Sequence, residues 1–376
     1  MNFFKGLRSS VSTAVESIEN LENVCTDPQP FRASVVIVSY NAKQKLMACL
    51  ASLRRALPAD CALVVVDNAS AEGNADAIAE SFPDVKLIRS PVNLGFAGGC
   101  NLGARHTRSR ALVFLNPDTV VEPGWIEALV APLEADDDTG LTTARILLMS
   151  DPQRLNTCGC NIHLTGLTLC RGMARARDTY LQREPVGAIS GAAFAIRAKL
   201  FARLGGFDEE MFLYLEDTDL SWRARLNGWQ TVYTPDSLVL HDYELRITPL
   251  KVFWEERNRY LMLIKSLRWP TLLLLAPAYV TAEIITWTFV LLKDRHNISN
   301  KLHAYGWMLR NWRLILSKRR ATQALRRVGD RAMLKSTGFA LDFGQASGGL
   351  DAAIARLIFN PLFFVMRAIL LAVVWW

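Results

Sequence analysis

Between Ala33 and Asn116 the chain sets down four β-branched runs of strand length, SVVIVSY, ALVVVD, VKLIRS and ALVFLN. Stretches with helical periodicity separate them, at Lys43–Leu57, Gly73–Phe82 and Phe96–Arg108. The runs are continuously apolar rather than alternating, as strands buried on both faces are. Strand–helix–strand alternation at this spacing predicts a parallel sheet covered by helices on both sides. In such sheets ligands gather beyond the carboxyl ends of the strands. The residues just past each run are therefore the first candidates: Tyr40-Asn41, Asp67 to Ser70, Pro91 to Gly95, and Asn116-Pro117-Asp118.

Composition narrows the class. With 376 residues, 51% of them hydrophobic and 21% charged, the chain is too apolar to be mainly disordered. Its seven cysteines are an odd number set mostly within apolar runs, and the lone Cys158-x-Cys160 supplies no zinc knuckle. Reduced, buried thiols are expected. At the amino end Phe4, Leu7, Val11, Val15, Ile18 and Leu21 recur at helical spacing, without the apolar core or cleavage site of a secretory signal. The chain divides into three segments: an amphipathic extension over 1–30, a catalytic α/β domain over 31–250 with irregular strands from Leu141 to Arg183, and a helical, basic region over 251–376.

Charge is distributed unevenly. From Lys293 to Lys335 twelve basic residues face only Asp294 and Asp330, a local excess of +10 in a chain of net +7, so the remainder is mildly acidic. Trp307 and Trp312 lie in this stretch, but no nucleic-acid recognition motif accompanies them, and no nucleic-acid partner is expected.

Three acidic places are candidates for chemistry. Asp67 and Asp118 each end an apolar strand, where an aspartate commonly serves only as a turn or helix cap. Glu216, Asp217 and Asp219 crowd the segment EDTD beside Tyr214 and Trp222. Asp219 is placed to cap the next helix, which leaves Glu216 and Asp217 as adjacent like charges. Such a pair implies a cation or a proton-transfer role. The glycines Gly95, Gly98, Gly99 and Gly103 suggest a dinucleotide turn, but that turn belongs after the first strand, and here the third candidate strand precedes it.

The motifs SVVIVSYNA, VVVDNAS, NLGFAGGCNLGA, FLNPDT, SGAAFAIR, GGFDEEMFLYLEDTDLSWRARLNGW and VLH stand in an order that resembles the inverting glycosyltransferases of family 2, most of all their bacterial rhamnosyltransferase-type branch. The resemblance runs from about Ala33 to Tyr243 and more loosely through ERNRYLMLIKSL. It implies a Rossmann-like, A-type glycosyltransferase fold acting on a dTDP- or UDP-linked sugar, with dTDP-L-rhamnose favoured. By resemblance Asp217 is the base that takes the acceptor proton, and Glu216 orients the acceptor. Asp67 accepts the N3–H of a uracil or thymine, Tyr40 flanks the base or ribose, and Asn93, Gly95 and Asn101 belong to the donor-side loop. Arg223 either pairs with Asp219 or reaches the diphosphate.

The same resemblance assigns Mg2+ or Mn2+ to the D-x-D-like element Asn116-Pro117-Asp118, with Asp118 as principal ligand and His241 as a further one. Asn116 stands where the family has a first aspartate, which weakens the charge offered to the metal.

Thr271–Leu292 and Leu357–Trp376 are apolar enough to engage a bilayer, but each carries an ionisable residue, Glu283 and Arg367. A single span would put the +10 stretch outside, against the positive-inside tendency. The expectation is a peripheral or monotopic protein on the cytoplasmic face of the inner membrane, bound to anionic headgroups and acting on a lipid-linked saccharide in cell-envelope glycan synthesis. A homo-oligomer is compatible with this pattern. Alternatives are a transferase for UDP-galactofuranose or UDP-N-acetylglucosamine, or a catalytically silent membrane scaffold, which would be free to lose Asp118 or Asp217.

Overall fold

The computed structural model describes residues 31–71, 73–244, 248–341 and 353–376. The amphipathic extension expected over 1–30 lies outside these residues. The four apolar runs form β1 (Phe31–Ser39), β2 (Cys61–Asn68), β3 (Lys86–Ser90) and β4 (Ser109–Leu115). The stretches between them form α1 (Lys43–Ala56), α2 (Asn74–Ser81) and α3 (Gly95–Arg105). The chain continues through β5 (Thr119–Val121), α4 (Trp125–Ala135), β6 (Thr139–Leu148), β7 (Leu155–Thr157), β8 (Cys160–Ile162), β9 (Thr168–Cys170), β10 (Glu184–Pro185), β11 (Ala193–Arg197), α5 (Ala198–Arg203), α6 (Glu216–Leu226) and β12 (Gln230–His241).

The main sheet runs β10-β12-β6-β11-β4-β1-β2-β3. β3, β2, β1 and β4 are mutually parallel, as predicted. β11 departs from the parallel expectation and lies antiparallel between β4 and β6. Its apolar run gives no clue to direction, which is set by the connection. The result puts the residues just before β11 beside the carboxyl end of β4. Apolar side chains of β1, β2 and β4 fill clusters on both faces of the sheet, one against α1 and α4, the other against α3, α5 and α6. The α3 glycines allow a close helix–sheet approach: a Cβ on Gly99 would stand 2.6 Å from Val38 and one on Gly103 2.4 Å from Val36. That close packing accounts for the glycine pattern.

From Pro249 the chain is helical: α7 (Pro249–Ser266), α8 (Trp269–Leu274), α9 (Ala276–Lys293), α10 (Ile298–Arg310), α11 (Trp312–Ala324), α12 (Asp330–Lys335) and α13 (Asn360–Val373). These helices share one buried cluster with Cys160, Met211, Trp222 and Leu226 of the α/β part. The expected apolar segment from Thr271 to Leu292 is broken into α8 and α9, and Glu283 in its middle is the hub of an internal ionic network. Its carboxylate meets Arg259, Tyr260, Tyr305 and, at 3.1 Å, Lys301.

Four cations of the basic stretch are drawn into the structure, while the others described, Arg295 and Arg310 among them, stay exposed. Lys301 is buried, Lys318 pairs with Asp208 at 2.5 Å, and Arg319 donates to the carbonyls of Ile264 and Leu267. Arg326 pairs with the buried Asp330 at 2.7 Å. Arg313, Arg320, Arg327, Arg331 and Lys335 remain exposed. Among the described residues no disulfide joins the six cysteines, and all but Cys170 are buried.

Candidate active site

The register gathers the candidate residues at one edge. Ser39 pairs with Asp67, Ile37 with Leu115, Ala193 with Leu115, and His241 with Thr119. Tyr40, Asp67, Asn116, Asp118, Gly191 and His241 therefore all lie at the carboxyl end of the parallel strands. A concavity lined by Phe31, Leu57, Phe82, Lys86 and Arg108 sits at the opposite ends and contains none of them.

On the β1–β3 side, Tyr40 is 51% exposed and Asp67 is buried, with Oδ1 facing the Ser70 N–H at 3.4 Å. Asn41 donates its N–H to Ser70 Oγ and accepts from the Ala71 N–H, locking the two loops side by side. Asn93 accepts from the Gly95 N–H at 2.8 Å and from Asn68 Nδ2 at 3.0 Å. Asn68, within the candidate turn after β2, also accepts from the Leu94 N–H and so fixes this loop. Gly95 sits at φ +71°, and a Cβ there would stand 2.4 Å from the Phe212 carbonyl. Asn101 is buried, with its amide bracketing the turn at Phe207 and touching Glu209. Asn101 is a brace of this turn, since both ends of the amide face protein.

Asp118 and His241 meet where β4 and β12 end. His241 Nε2 stands 3.3 Å from Asp118 Oδ1, while Nδ1 lies 2.8 Å from Asn156 Oδ1. An amide oxygen only accepts, so Nδ1 carries a proton, and Nε2 is left facing the carboxylate. Nε2 and Oδ1 face each other across 3.3 Å, and Asp118 Oδ1 is buried without a formed hydrogen bond. This pairing suits a shared proton or a cation, so the residues fit a divalent ion as a two-donor start of its shell. Burial works to raise the Asp118 carboxyl, but His241, with Lys45 behind it, outweighs burial and holds it below the usual range. Asn116 is tied by its backbone, its N–H donating to the Ala192 carbonyl at 2.9 Å. Among the described residues no cluster of three acidic, His or Cys side chains is gathered as a complete metal site.

Asp217 opens α6. Its Oδ2 accepts from the Gly191 N–H at 2.8 Å, and Oδ1 accepts from the Thr218 N–H at 2.6 Å and the Thr218 hydroxyl at 3.2 Å. Burial nevertheless prevails over these bonds and raises its proton affinity. Glu216 is more strongly affected: burial first, then the charges of Asp217 and Asp219, push it well above the carboxylate range, and Oε2 is buried without a partner. Adjacent carboxyls with raised pKa values at a sheet edge are equipped for proton transfer. Because Gly191 precedes Ala192, which holds Asn116, the base candidate and the Asp118 turn are joined through neighbouring backbone.

Arg223 resolves against the diphosphate. It is buried, with Nε 2.7 Å from Asp219 and Nη1 on the carbonyls of Leu204 and Gly206. Asp219 in turn meets Lys265 at 2.8 Å. Arg223 is thus a strut of α6.

The loop entering α6 is strained. Phe212, Tyr214 and Leu215 all adopt left-handed backbone, with φ of 60°, 67° and 65°. Each costs on the order of 1–2 kcal/mol for a side-chain-bearing residue. Asn258 of α7 holds this loop: its Nδ2 meets the carbonyls of Met211, Leu213 and Tyr214 at 2.9, 3.1 and 2.7 Å. Neighbouring Arg257 donates to the Glu210 carbonyl. The sequence signal for Asn258 was only its place in the polar run ERNR on an otherwise apolar helix.

Residues 34–204 match glycosyl transferase family 2. The chain is 30% identical over 233 residues to an N-acetylglucosaminyl-diphospho-decaprenol L-rhamnosyltransferase of Mycobacterium tuberculosis, covering 55% of this chain and 75% of the relative. A pre-mycofactocin glycosyltransferase of the same organism is 27% identical over 215 residues, 57% of this chain and 43% of its own. Among solved structures, S. aureus TarS 1-349 in complex with UDP-GlcNAc superposes with a TM-score of 0.51 at 14% identity, covering 91% of this chain and 89% of that one, a likeness of fold. The sheet order, the placement of the acidic residues at its carboxyl edge and these matches agree: the chain is a glycosyltransferase and belongs to glycosyl transferase family 2.

Proposed function

We propose that this protein inverts configuration at the anomeric carbon while moving a hexose, L-rhamnose from dTDP-L-rhamnose being the favoured donor, to a lipid-linked saccharide of the cell envelope. Asp217 takes the proton from the acceptor hydroxyl as that oxygen bonds to the anomeric carbon. The bond from that carbon to the diphosphate oxygen breaks on the opposite face, and the electron pair leaves with the nucleotide. Its raised proton affinity makes Asp217 a stronger base than an ordinary aspartate, worth about 10²- to 10⁴-fold in rate when positioned. Glu216 orients the acceptor from within the same turn. Asp118 and His241 would hold a Mg2+ or Mn2+ ion, whose chemistry is to neutralise the departing diphosphate. Asp67 reads the base and Tyr40 lies along it.

The observation that carries this reading is the Asp217 carboxylate, fixed by Gly191 and Thr218 at the ligand-binding edge of the sheet. The donor and acceptor are supported by the rhamnosyltransferase relative, whose name includes a decaprenol-linked acceptor. Nucleotide release from a panel of dTDP- and UDP-sugars, with and without Mn2+, tests it. The expected result is turnover fastest with dTDP-L-rhamnose and stimulated by the metal. Preference for another donor overturns the sugar, and full activity in chelator overturns the metal.

A further inference from the structure

The helices from Trp269 onward leave a broad apolar surface uncovered. On α8 and α9 the exposed positions Leu273, Pro277, Val280, Ile284 and Leu291 succeed one another at helical spacing, while Leu275, Ala278 and Ala282 on the opposite side are buried. α13 and the turn leading into it bury only the narrow edge of Phe363, Leu370 and Val374 and expose Leu357, Ile358, Phe364, Val365 and Ile369. The window Arg356–Val373 has a mean hydropathy of 1.8, long and apolar enough to cross a membrane by length and composition, yet only 11% of it is buried. The buried edges of α9 and α13 belong to one cluster, and Trp376 just past the end of α13 bonds to Thr271 of α8, so the exposed strips flank one helical body. Exposed apolar strips of this extent mark an interaction site.

Its rim is mainly basic, with Asp294 at the end of α9 as a partly exposed exception. Among the described residues from Ile298 onward the sole carboxylate side chain is Asp330, fully buried against Arg326. Exposed Arg331 and Lys335 lie beside α13, whose Arg367 donates to the Lys335 and Thr337 carbonyls. Exposed Arg313 and Arg320 flank α8 on α11, where the Trp269 and Trp312 rings lie 6.1 Å apart. Partly exposed tryptophans between apolar and basic surface are suited to a lipid interface.

Three ties hold α13 along the body of the protein. Asn360 accepts from the Leu341 N–H at 2.8 Å, Arg367 makes the bonds just described, and Trp376 Nε1 donates to Thr271 Oγ1 at 2.9 Å. These ties lay α13 against the body rather than letting it project away. We propose that α8, α9 and α13 together form a monotopic docking face that lies in the surface of a bilayer containing anionic lipid, apolar strips among the acyl chains and Arg313, Arg320, Arg331 and Lys335 at the headgroups. This deepens the reading of a lipid-linked acceptor and rests on it only for its purpose, since the face itself is defined by exposure and charge.

The test is flotation of the purified full chain with phosphatidylcholine vesicles containing or lacking phosphatidylglycerol, without donor or acceptor. Native protein is expected to float with the anionic vesicles, to bind neutral ones several-fold more weakly, and to be released by alkaline carbonate. The triple variant Leu357→Glu/Phe364→Glu/Ile369→Glu should lose at least 10-fold in partitioning while keeping its circular dichroism and its turnover on a water-soluble acceptor. Should the triple variant misfold, Ile284→Glu alone should lower partitioning several-fold. Native-like partitioning of a folded variant overturns the proposal. Carbonate-resistant insertion overturns it in favour of a span. A native dimer that ignores vesicles and dissociates in the variant overturns it in favour of a second copy. Failure of the donor assay would leave this result standing, and failure of flotation would leave the transfer chemistry standing.

Discussion

Replacing Lys265 with methionine should destabilise the protein by about 3 kcal/mol, at the lower end of the range for breaking a buried ion pair. The Lys265 ammonium is buried between Asp208, at 2.5 Å, and Asp219, at 2.8 Å, and both carboxylates are themselves buried. Loss of a buried partner costs about 3–5 kcal/mol when the remaining charge is uncompensated. Here each carboxylate keeps one cation, Lys318 at 2.5 Å from Asp208 and Arg223 at 2.7 Å from Asp219, which places the expectation at the lower end. Methionine retains the length and apolar stem, so cavity formation adds little. Lys318, more exposed at its head, should cost less, about 1 kcal/mol as methionine.

The pH dependence has a definite sign. Burial alone would raise the Asp208 carboxyl, but Lys265 and Lys318 together hold it well below its ordinary value. A depressed carboxylate stabilises the fold fully above about pH 4, its unfolded range, and less as pH falls further. Native protein should therefore lose stability steeply in acid, and Lys265→Met should show a shallower loss because less depression remains. Urea denaturation followed by tryptophan fluorescence at about pH 7 and about pH 2 measures both effects. A change below about 1 kcal/mol at neutral pH, with an unchanged denaturant slope, would refute the idea that this cluster binds the helical region to α6.

Asn258→Ala should release three carbonyls of the strained loop before α6 and lower kcat by about 10-fold or more, with donor KM nearly unchanged; steady-state kinetics on a fixed acceptor decides this. Gly191→Ala should lower kcat several-fold with little change in melting temperature, because its Cβ would stand 3.2 Å from Asp217 Oδ2 and push the carboxylate aside. The acid limb of kcat/KM should fall as pH drops through an apparent value above that of an ordinary aspartate, since burial raises Asp217 and it must be unprotonated to act. A profile flat down to about pH 4 would contradict that assignment.

Much of the α/β part was legible because its signals are local. The runs at β1, β2 and β4 are fully apolar, and Asp67, Asp118 and the Glu216–Asp219 segment each come after such a run or open a helix. Arg223 was readable as a strut because it lies one turn from Asp219. In the basic region the inward-facing cations were not legible because their partners are distant in sequence. Lys318 and Asp208 are 110 positions apart, and Arg319 is satisfied by carbonyls with no sequence signature. Composition counted these cations as surface, whereas folding makes Lys301, Lys318, Arg319 and Arg326 internal. The role of Asn258 was not legible for a related reason, because it acts on backbone that only the strained loop exposes.

The most direct test of the account is Asp217→Asn, compared with native protein by calorimetric titration of dTDP or UDP and by transfer to a saccharide acceptor. Asparagine keeps the size and still accepts from Gly191 or Thr218, but it cannot take the acceptor proton. The account predicts nucleotide affinity within about threefold of native and a loss of transfer of about 10²- to 10⁴-fold. Equal losses in binding and transfer, or transfer at the native rate, would contradict the assignment of Asp217 as the base.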